Sequence, residues 1–276
     1  MERKHQVAAA VAVLTAVTAL TGWGVLYEPD RLVTRHYDID LPQVQHPVTI
    51  AILSDIHVGS PFIDEQKLLD VAAMTNAAEP DVIVLAGDYV IHDVVGGEFA
   101  APEVMSVPLS RLQAPLGVYA VLGNHDYWYD GPRCRRALEQ AGITVLEDET
   151  AQIGEGEEAL WLLGIGDEWT ERHDLGAAVA TVPDDDRPAI LLAHSPDIFP
   201  QLSDRFALTI SGHTHGGQIQ VPGWGALLVP SEHGTRYAYG HIIEDGRHLL
   251  VSPGIGTSLL PVRLNVPPEI TVVTIH

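Results

Sequence analysis

The sequence predicts an α/β fold in which two sheets stack into a sandwich flanked by helices, on three observations. The first is a set of apolar, β-branched-rich runs that each break into Asp, His or Asn. They are Val48–His57 (VTIAILSDIH), Asp81–Asp88 (DVIVLAGD), Gly117–Leu122 (GVYAVL) leading into Gly123–Asp126, Pro188–Asp197 (PAILLAHSPD) and Phe206–Gly217 (FALTISGHTHGG). Apolar runs of this length bounded by Gly, Pro or Asp read as buried strands. The second is the alternation of these runs with helix-like stretches up to Gly142, the order of βαβ units in a largely parallel sheet. The third is a change of pattern beyond Gly142. Thr144–Leu146, Ala151–Ile153 and Ala159–Leu163 follow one another too closely for crossover helices, which predicts antiparallel additions and hence a second sheet.

The elements follow in order. Met1–His5 carries Arg3 and Lys4, and Val7–Tyr27 then runs without a charge, about the 20 residues that a helix needs to cross a bilayer. Trp23 and Tyr27 stand at its far end, where interfacial aromatics belong. Residues 1–30 are read as a retained membrane anchor. A cleaved signal peptide, which would make the protein an exported one, and a peripheral helix are the alternatives. Arg3 and Lys4 before the span nearly balance Arg31 and Arg35 after it, so the positive-inside count does not choose a side. Residues 31–276 read as one domain, because no linker composition interrupts them. Tyr37–Leu41 alternates as an edge strand, and Asp64–Ala77 has helical spacing with Asp64 as N-cap. A loop from Tyr89 to Pro102 and a short helix near Glu103–Gln113 come next. Pro132–Ala141 reads as a helix stopped by Gly142, and Leu175–Thr181 as another. Ala226–Val229, Tyr237–Ile243 and His248–Ser252 read as meandering strands, and Ile270–Ile275 as the last strand.

The formal net charge of −22 repels nucleic acid and anionic membrane surfaces at long range, so a nucleic-acid partner is not expected. The same field opposes an anionic substrate unless cations in the site invert the local potential. Cys134 is the only cysteine; it excludes an intrachain disulfide and reads as a packing residue.

Ligand-type side chains sit just past the ends of the predicted strands, where open α/β sheets carry their sites. They are Asp55 and His57, Asp88, Asn124 with His125 and Asp126, His194, and His213 with His215. Singly, most of these have a plainer reading, as a capping Asp, an Asx-type turn or a satisfied core histidine. Together they predict a two-metal hydrolytic centre. A mixed imidazole, carboxylate and amide set suits Zn, Fe or Mn. Two such cations, about 3.5–4 Å apart, clamp the attacking and leaving oxygens of an in-line displacement and acidify a bridging water. Ser54, Ser195 and Ser211 lack the Gly-x-Ser-x-Gly setting of a nucleophile elbow, and there is no Gly-rich phosphate loop followed by Lys-Ser/Thr.

In order and spacing, Asp55-x-His57, Gly87-Asp88, Gly123-Asn124-His125-Asp126, His194 and Gly212-His213-x-His215 resemble the calcineurin-like metallophosphoesterases, over residues 48–217. Ser211–Gln218 (SGHTHGGQ), Ser252–Leu260 (SPGIGTSLL) and Val262–Pro267 (VRLNVP) resemble the bacterial phosphodiesterase branch that often carries an N-terminal membrane segment, which implies a bacterial inner membrane. The resemblance implies a four-layer α/β/β/α sandwich of two mixed sheets. It implies one divalent cation on Asp55, His57 and His215, a second on Asn124, His194 and His213, and Asp88 bridging them, with Mg possible besides Mn, Fe or Zn. By the same resemblance His125 works beside the scissile phosphate and Asp126 orients its ring. Many relatives place a further Asp soon after the Gly-Asp, whereas here Tyr89-Val90-Ile91-His92-Asp93 intervenes. His92, Asp93 and Tyr127 then belong either to the substrate cleft or to surface loops.

The expected activity is that of a phosphodiesterase or pyrophosphatase using a metal-bridging hydroxide, on a lipid-linked or nucleotide-containing substrate. A phosphomonoesterase or protein phosphatase and a non-catalytic metal-binding scaffold are the alternatives. A nuclease should show basic patches, and only 15 Lys and Arg are spread along the chain. Gly254–Val262 (GIGTSLLPV) reads either as a contact for an acyl chain or as core.

Overall fold

Two six-stranded sheets face each other across an apolar seam in the computed structural model, which describes residues 2–156 and 159–276. In the first sheet β2 (Val48–Leu53), β3 (Val82–Ala86), β4 (Val118–Val121) and β5 (Thr144–Val145) run parallel. The last strand, β14 (Glu269–Ile275), returns antiparallel beside β2, and β1 (Val33–Ile39) pairs parallel with it as the edge. In the second sheet β7 (Leu160–Gly164), β8 (Ala189–Leu192), β9 (Phe206–Ser211) and β13 (Arg247–Val251) are parallel neighbours. Antiparallel β6 (Glu149–Ile153) and β12 (Gly240–Glu244) flank them.

The alternation of side chains along each strand separates the layers. Ile50 and Ile52 of β2 point into the seam with Val82, Val84 and Ala86 of β3, against Leu162, Ile190, Leu208 and Leu250 from the other sheet. Ala51, Leu53, Ile83 and Leu85 point the other way, onto the helical layer formed by α2 (Glu65–Ala77), α3 (Ser106–Leu109) and, beyond α4 (Asn124–Tyr129), α5 (Gly131–Gln140). Behind the second sheet, Leu163, Leu191 and Leu249 pack on Ala178 of α6 (Leu175–Val179) and on Ile198 and Phe199 of a 3₁₀ segment, Pro196–Gln201. The order of layers is therefore α/β/β/α. Asp64 caps α2, accepting from the Lys67 backbone N–H at 2.8 Å. Gly142 follows α5 at φ 82°, a left-handed stop that a side chain would resist.

Three sequence expectations change. Only the β6–β7 pair is the antiparallel addition predicted beyond Gly142. β5 joins the first sheet, parallel to β4, because α4 and α5 give it a helical crossover. β7, β8 and β9 form a second parallel set, because residues 165–188, with α6, and the 3₁₀ segment at Pro196–Gln201 bridge them. Ala226–Val229 is not a strand of either six-stranded sheet: β11 (Gly225–Ala226) closes a two-stranded hairpin with β10 (Gln220–Val221), and Leu227 and Leu228 are left exposed.

At the N-terminus α1 (Glu2–Gly22) is, by length and composition, apolar enough to cross a membrane. Its rise of about 1.5 Å per residue makes it about as long as a bilayer core is thick. The chain then turns through Trp23–Tyr27 and Glu28–Asp30 and is gripped by the domain. Gly24 O accepts from Arg263 N at 2.9 Å. Buried Glu28 accepts from Val266 N at 2.7 Å and from Trp23 Nε1 at 2.6 Å.

The seam is the part of the core on which both sheets depend. Ile52, with no exposed surface, tests it: Ile52→Ala is expected to lower unfolding free energy by about 2–5 kcal/mol through lost burial and a residual cavity, read from denaturant midpoints.

Candidate metal centre

Five strand ends, those of β2, β3 and β4 from one sheet and β8 and β9 from the other, meet at one edge of the sandwich. Hydrogen bonds between the loops lock their spacing. Asp55 N donates to Gly87 O at 2.9 Å, His57 N to Asp88 O at 3.1 Å, Gly212 N to His194 O at 2.9 Å and Gly256 N to Asp55 O at 2.7 Å. A side chain at Gly87 would stand 2.7 Å from His194 Nδ1, and one at Gly212 would stand 2.6 Å from Asp55 Oδ2. The loops turn off their strands sharply. Asp55, His57, Asp88, His213 and His215 hold left-handed φ values of 48°, 48°, 59°, 66° and 52°. Such backbone can store about 1–3 kcal/mol per residue and clusters at functional sites.

The buried side chains aimed into this space form two groups around Asp88. In one, Asp55 Oδ1 lies 3.4 Å from His215 Nε2, which lies 3.1 Å from His57 Nε2. In the other, His194 Nε2 lies 3.1 Å from both Asn124 Oδ1 and His213 Nδ1. Asp88 Oδ2 stands between them, 3.8 Å from His57 Nε2 and 3.2 Å from His194 Nε2. Within 4.8 Å, Asp55, His57 and His215 converge, as do Asp88, His194 and His213, and as do His57, Asp88 and His125. Two ring orientations follow from backbone carbonyls, which can only accept. His57 Nδ1 donates to Val90 O at 3.0 Å and His194 Nδ1 to Ala86 O at 2.7 Å, so each turns Nε2 inward.

Burial holds the His57 and His213 pKa values down to about 3 and pushes His215 well below its usual value. At neutral pH these rings are uncharged and present lone pairs. Burial alone would raise Asp88, but the charge of His194 beside it pulls it well below the carboxylate range. Burial alone would lower His194, yet Asp88, Asp55 and Asp167 raise it to about 10. Burial lifts Asp55 to about 6 against the charge of His194. The neutral imidazoles of His57, His213 and His215, an amide oxygen and two buried carboxylates make a donor set that fits divalent cations, and a cation bound there would displace the His194 proton.

The structure brings all nine sequence-predicted site residues to this place, but it changes the role of one. Asp126 does not orient His125. Its oxygens accept from the backbone N–H groups of Asp88 at 3.0 Å, Tyr89 at 2.9 Å, Gly123 at 2.9 Å and Val90 at 3.3 Å, while His125 Nδ1 has no partner among the described residues. Asp126 is instead the clamp that holds the Asp88 loop against the start of α4, because a buried carboxylate takes the nearest free backbone donors. Tyr127 also turns away, donating to Glu147. His92 and Asp93 do line the pocket of about 520 Å³ that opens over the site.

Sequence reasoning missed Asp167, buried beside the cluster with one unpaired oxygen. Its signal was a sixth apolar run ending in Gly-Asp, at Gly166-Asp167. It also missed Trp128 and Trp169, pocket residues whose rings lie 5.1 Å from His125 and 4.7 Å from His213. No local pattern marked these two.

Residues 48–217 match the calcineurin-like phosphoesterase family. The chain is 34% identical over 229 residues to the phosphodiesterase YaeI of Escherichia coli (strain K12), covering 82% of this chain and 81% of that protein. It is 30% identical over 289 residues to a transmembrane protein with metallophosphoesterase domain from Danio rerio, covering 94% of this chain and 60% of that protein. Among solved structures, the NAD nucleotidase of Haemophilus influenzae superposes with a TM-score of 0.51 at 11% identity, a likeness of fold alone. The match covers 76% of this chain and 51% of the nucleotidase, so this chain spans about half its length.

Asp126→Ala would leave four buried N–H groups without their acceptor, at roughly 1–3 kcal/mol apiece. Severe destabilisation is therefore expected in thermal or chemical unfolding, with Asp126→Asn milder because its amide oxygen still accepts. Equal stability of Asp126→Ala and the parent would refute the clamp.

Proposed function

The chain belongs to the calcineurin-like phosphoesterase family, and on that premise we propose that it is a metal-dependent phosphodiesterase or pyrophosphatase anchored to a membrane. The observation that carries this reading is Asp88, whose Oδ2 lies between the two ligand groups, 3.8 Å from His57 and 3.2 Å from His194. Asp55, His57 and His215 would hold one divalent cation, Asn124, His194 and His213 the other, and Asp88 both. Mn, Fe and Zn fit the donor set best, and Mg is compatible with it. Bound there, the cations supply Lewis acidity, an activated water and a positive local potential for an anionic substrate in a chain of net charge −22.

His125 is the protein's own contribution at the phosphorus. Its backbone N–H donates to Asp88 Oδ1 at 2.9 Å, and its Nε2 stands 4.0 Å from Asp88 Oδ2 on the pocket wall. Burial lowers its pKa below the ordinary imidazole value. That favours a neutral N–H donating to the phosphoryl oxygens over an imidazolium that protonates the leaving group. A pocket of about 520 Å³ leaves room for a substituent on each side of phosphorus, which supports a diester or pyrophosphate, lipid-linked or nucleotide-containing. The length and composition of α1 and the transmembrane naming of the Danio rerio relative support residues 1–30 as a retained anchor and residues 31–276 as the catalytic domain; the likeness to the Escherichia coli phosphodiesterase favours a bacterial inner membrane as its place.

The test is hydrolysis of bis(p-nitrophenyl) phosphate against p-nitrophenyl phosphate. It uses the full chain in detergent, stripped of metal and reloaded with Mn, Fe, Zn or Mg. Metal-dependent cleavage of the diester with little monoester turnover is expected. A monoester preference would favour a phosphomonoesterase, and silence in protein that binds two cations would favour a scaffold. Asp88→Asn is expected to remove most turnover and weaken both cation sites; unchanged activity would sink the bridging assignment. His125→Ala should retain both cations while turnover falls about 10²–10³-fold, the range for loss of one such donor. Loss of a cation instead would make His125 a ligand.

A further inference from the structure

Large apolar side chains surround the pocket mouth without cover among the described residues. Trp224 is 86% exposed, Leu228 75%, Leu259 63%, Leu227 62% and Leu260 55%. The four leucines also line the pocket. An apolar patch of this kind marks an interaction surface.

The leucines come from two loops that are stitched together and held by α1. Gln218 Nε2 donates to Leu260 O at 3.1 Å, and its Oε1 accepts from Ser258 N at 2.6 Å. Leu264 N donates to Gln218 O at 2.8 Å. The second loop is the one that grips the segment just after α1, Arg263 N donating to Gly24 O and Val266 N to Glu28. The contact is close: a side chain at Gly24 would stand 3.2 Å from Arg263 O and 3.5 Å from Val262 Cγ2. The buried Arg263 guanidinium fastens the loop below, donating to Gly256 O at 2.6 Å, Pro253 O at 2.9 Å and Val266 O at 3.0 Å. Leu26 and Tyr27 are exposed just past Gly24. The pocket wall at Val262 therefore sits at the level of Trp23 and Tyr27, the depth that aromatic side chains take at a bilayer interface.

We propose that these two loops are a membrane-seating surface. Trp224, Leu227, Leu228, Leu259 and Leu260 enter the interfacial layer of the same bilayer that α1 spans. The pocket then opens onto the membrane, and its apolar wall receives the hydrocarbon part of a phosphoester presented there. The inference rests on α1 being a retained span. A net charge of −22 gives the chain no general attraction to anionic lipid, so the contact is apolar and insensitive to salt.

The test places a fluorescent, environment-sensitive label on the full chain in phosphatidylcholine vesicles. The label sits at Trp224→Cys, at Leu228→Cys, or at the control Asp186→Cys, which is exposed before β8 at the opposite edge of the sheet. Cys134 is buried and its thiol pKa is raised by burial, so the parent chain supplies the unlabelled background. The expected result is a blue-shifted emission, quenched by lipids carrying a nitroxide on the acyl chain, at 224 and 228 but not at 186, unchanged between low and high salt. Emission at 224 and 228 like that at 186, in protein that resists alkaline carbonate extraction, would overturn the seating while leaving the anchor intact. Shielding from both water and lipid quencher, with cross-linked dimers, would assign the surface to a second copy of the chain. Release of the parent chain by carbonate would overturn the anchored reading and the seating with it.

Discussion

A carboxylate taken out of water needs partners, and the site is arranged around that need at Asp88. The residue is 2% exposed. One oxygen accepts from the His125 backbone, and the other faces the rings of His194, His57 and His125. An unpaired buried charge is destabilising by several kcal/mol, so the partners must come to it, and they come from both sheets. His57 leaves β2, His125 follows β4 and His194 leaves β8. The two sheets can satisfy Asp88 only if their strand ends arrive at the same edge of the seam. Asp126 holds the backbone on which Asp88 stands, and that makes the start of α4 part of the same arrangement.

Burial serves the chemistry as well as the packing. It keeps most of the imidazoles uncharged, with lone pairs aimed inward; His194 is the exception, because Asp88 beside it outweighs burial. The left-handed turns and crowded charges are unfavourable in themselves. The apolar layers on both faces of each sheet offset them and hold the donors in place, which is the preorganisation a metal site needs.

The N-terminal helix is tied to this site through one continuous segment. Gly24 and Glu28 are bound by the residue 263–266 loop, and Arg263 of that loop fastens Pro253 and Gly256. The Gly256 N–H is in turn bound to Asp55 O. A few hydrogen bonds thus separate the end of α1 from a predicted metal ligand. Hydrogen bonds join the segment after α1 to the loops beside the site.

Much of this was legible along the chain. β2, β3, β4, β8 and β9 show as apolar runs because a strand buried on both faces needs apolar residues at every position. The site residues show because each run breaks into ligand-type side chains within a few positions. Asp64 and Gly142 show because caps obey local rules. The sequence by itself therefore determined the buried strands that carry the site, two of the helix ends and which side chains are available as ligands, all properties of short stretches, although the strand it suggested at Ala226–Val229 did not form in either six-stranded sheet. Tertiary structure alone decided the rest. It put β5 in the first sheet and made β7 a parallel partner of β8, since pairing depends on segments far apart in the chain. It turned Asp126 toward the Asp88 loop rather than toward His125, because a buried acceptor takes whichever donors the fold brings near. It also set Leu227, Leu228, Leu259 and Leu260 around the pocket mouth. Which apolar side chains are left uncovered depends on how the layers close, and no local pattern records that.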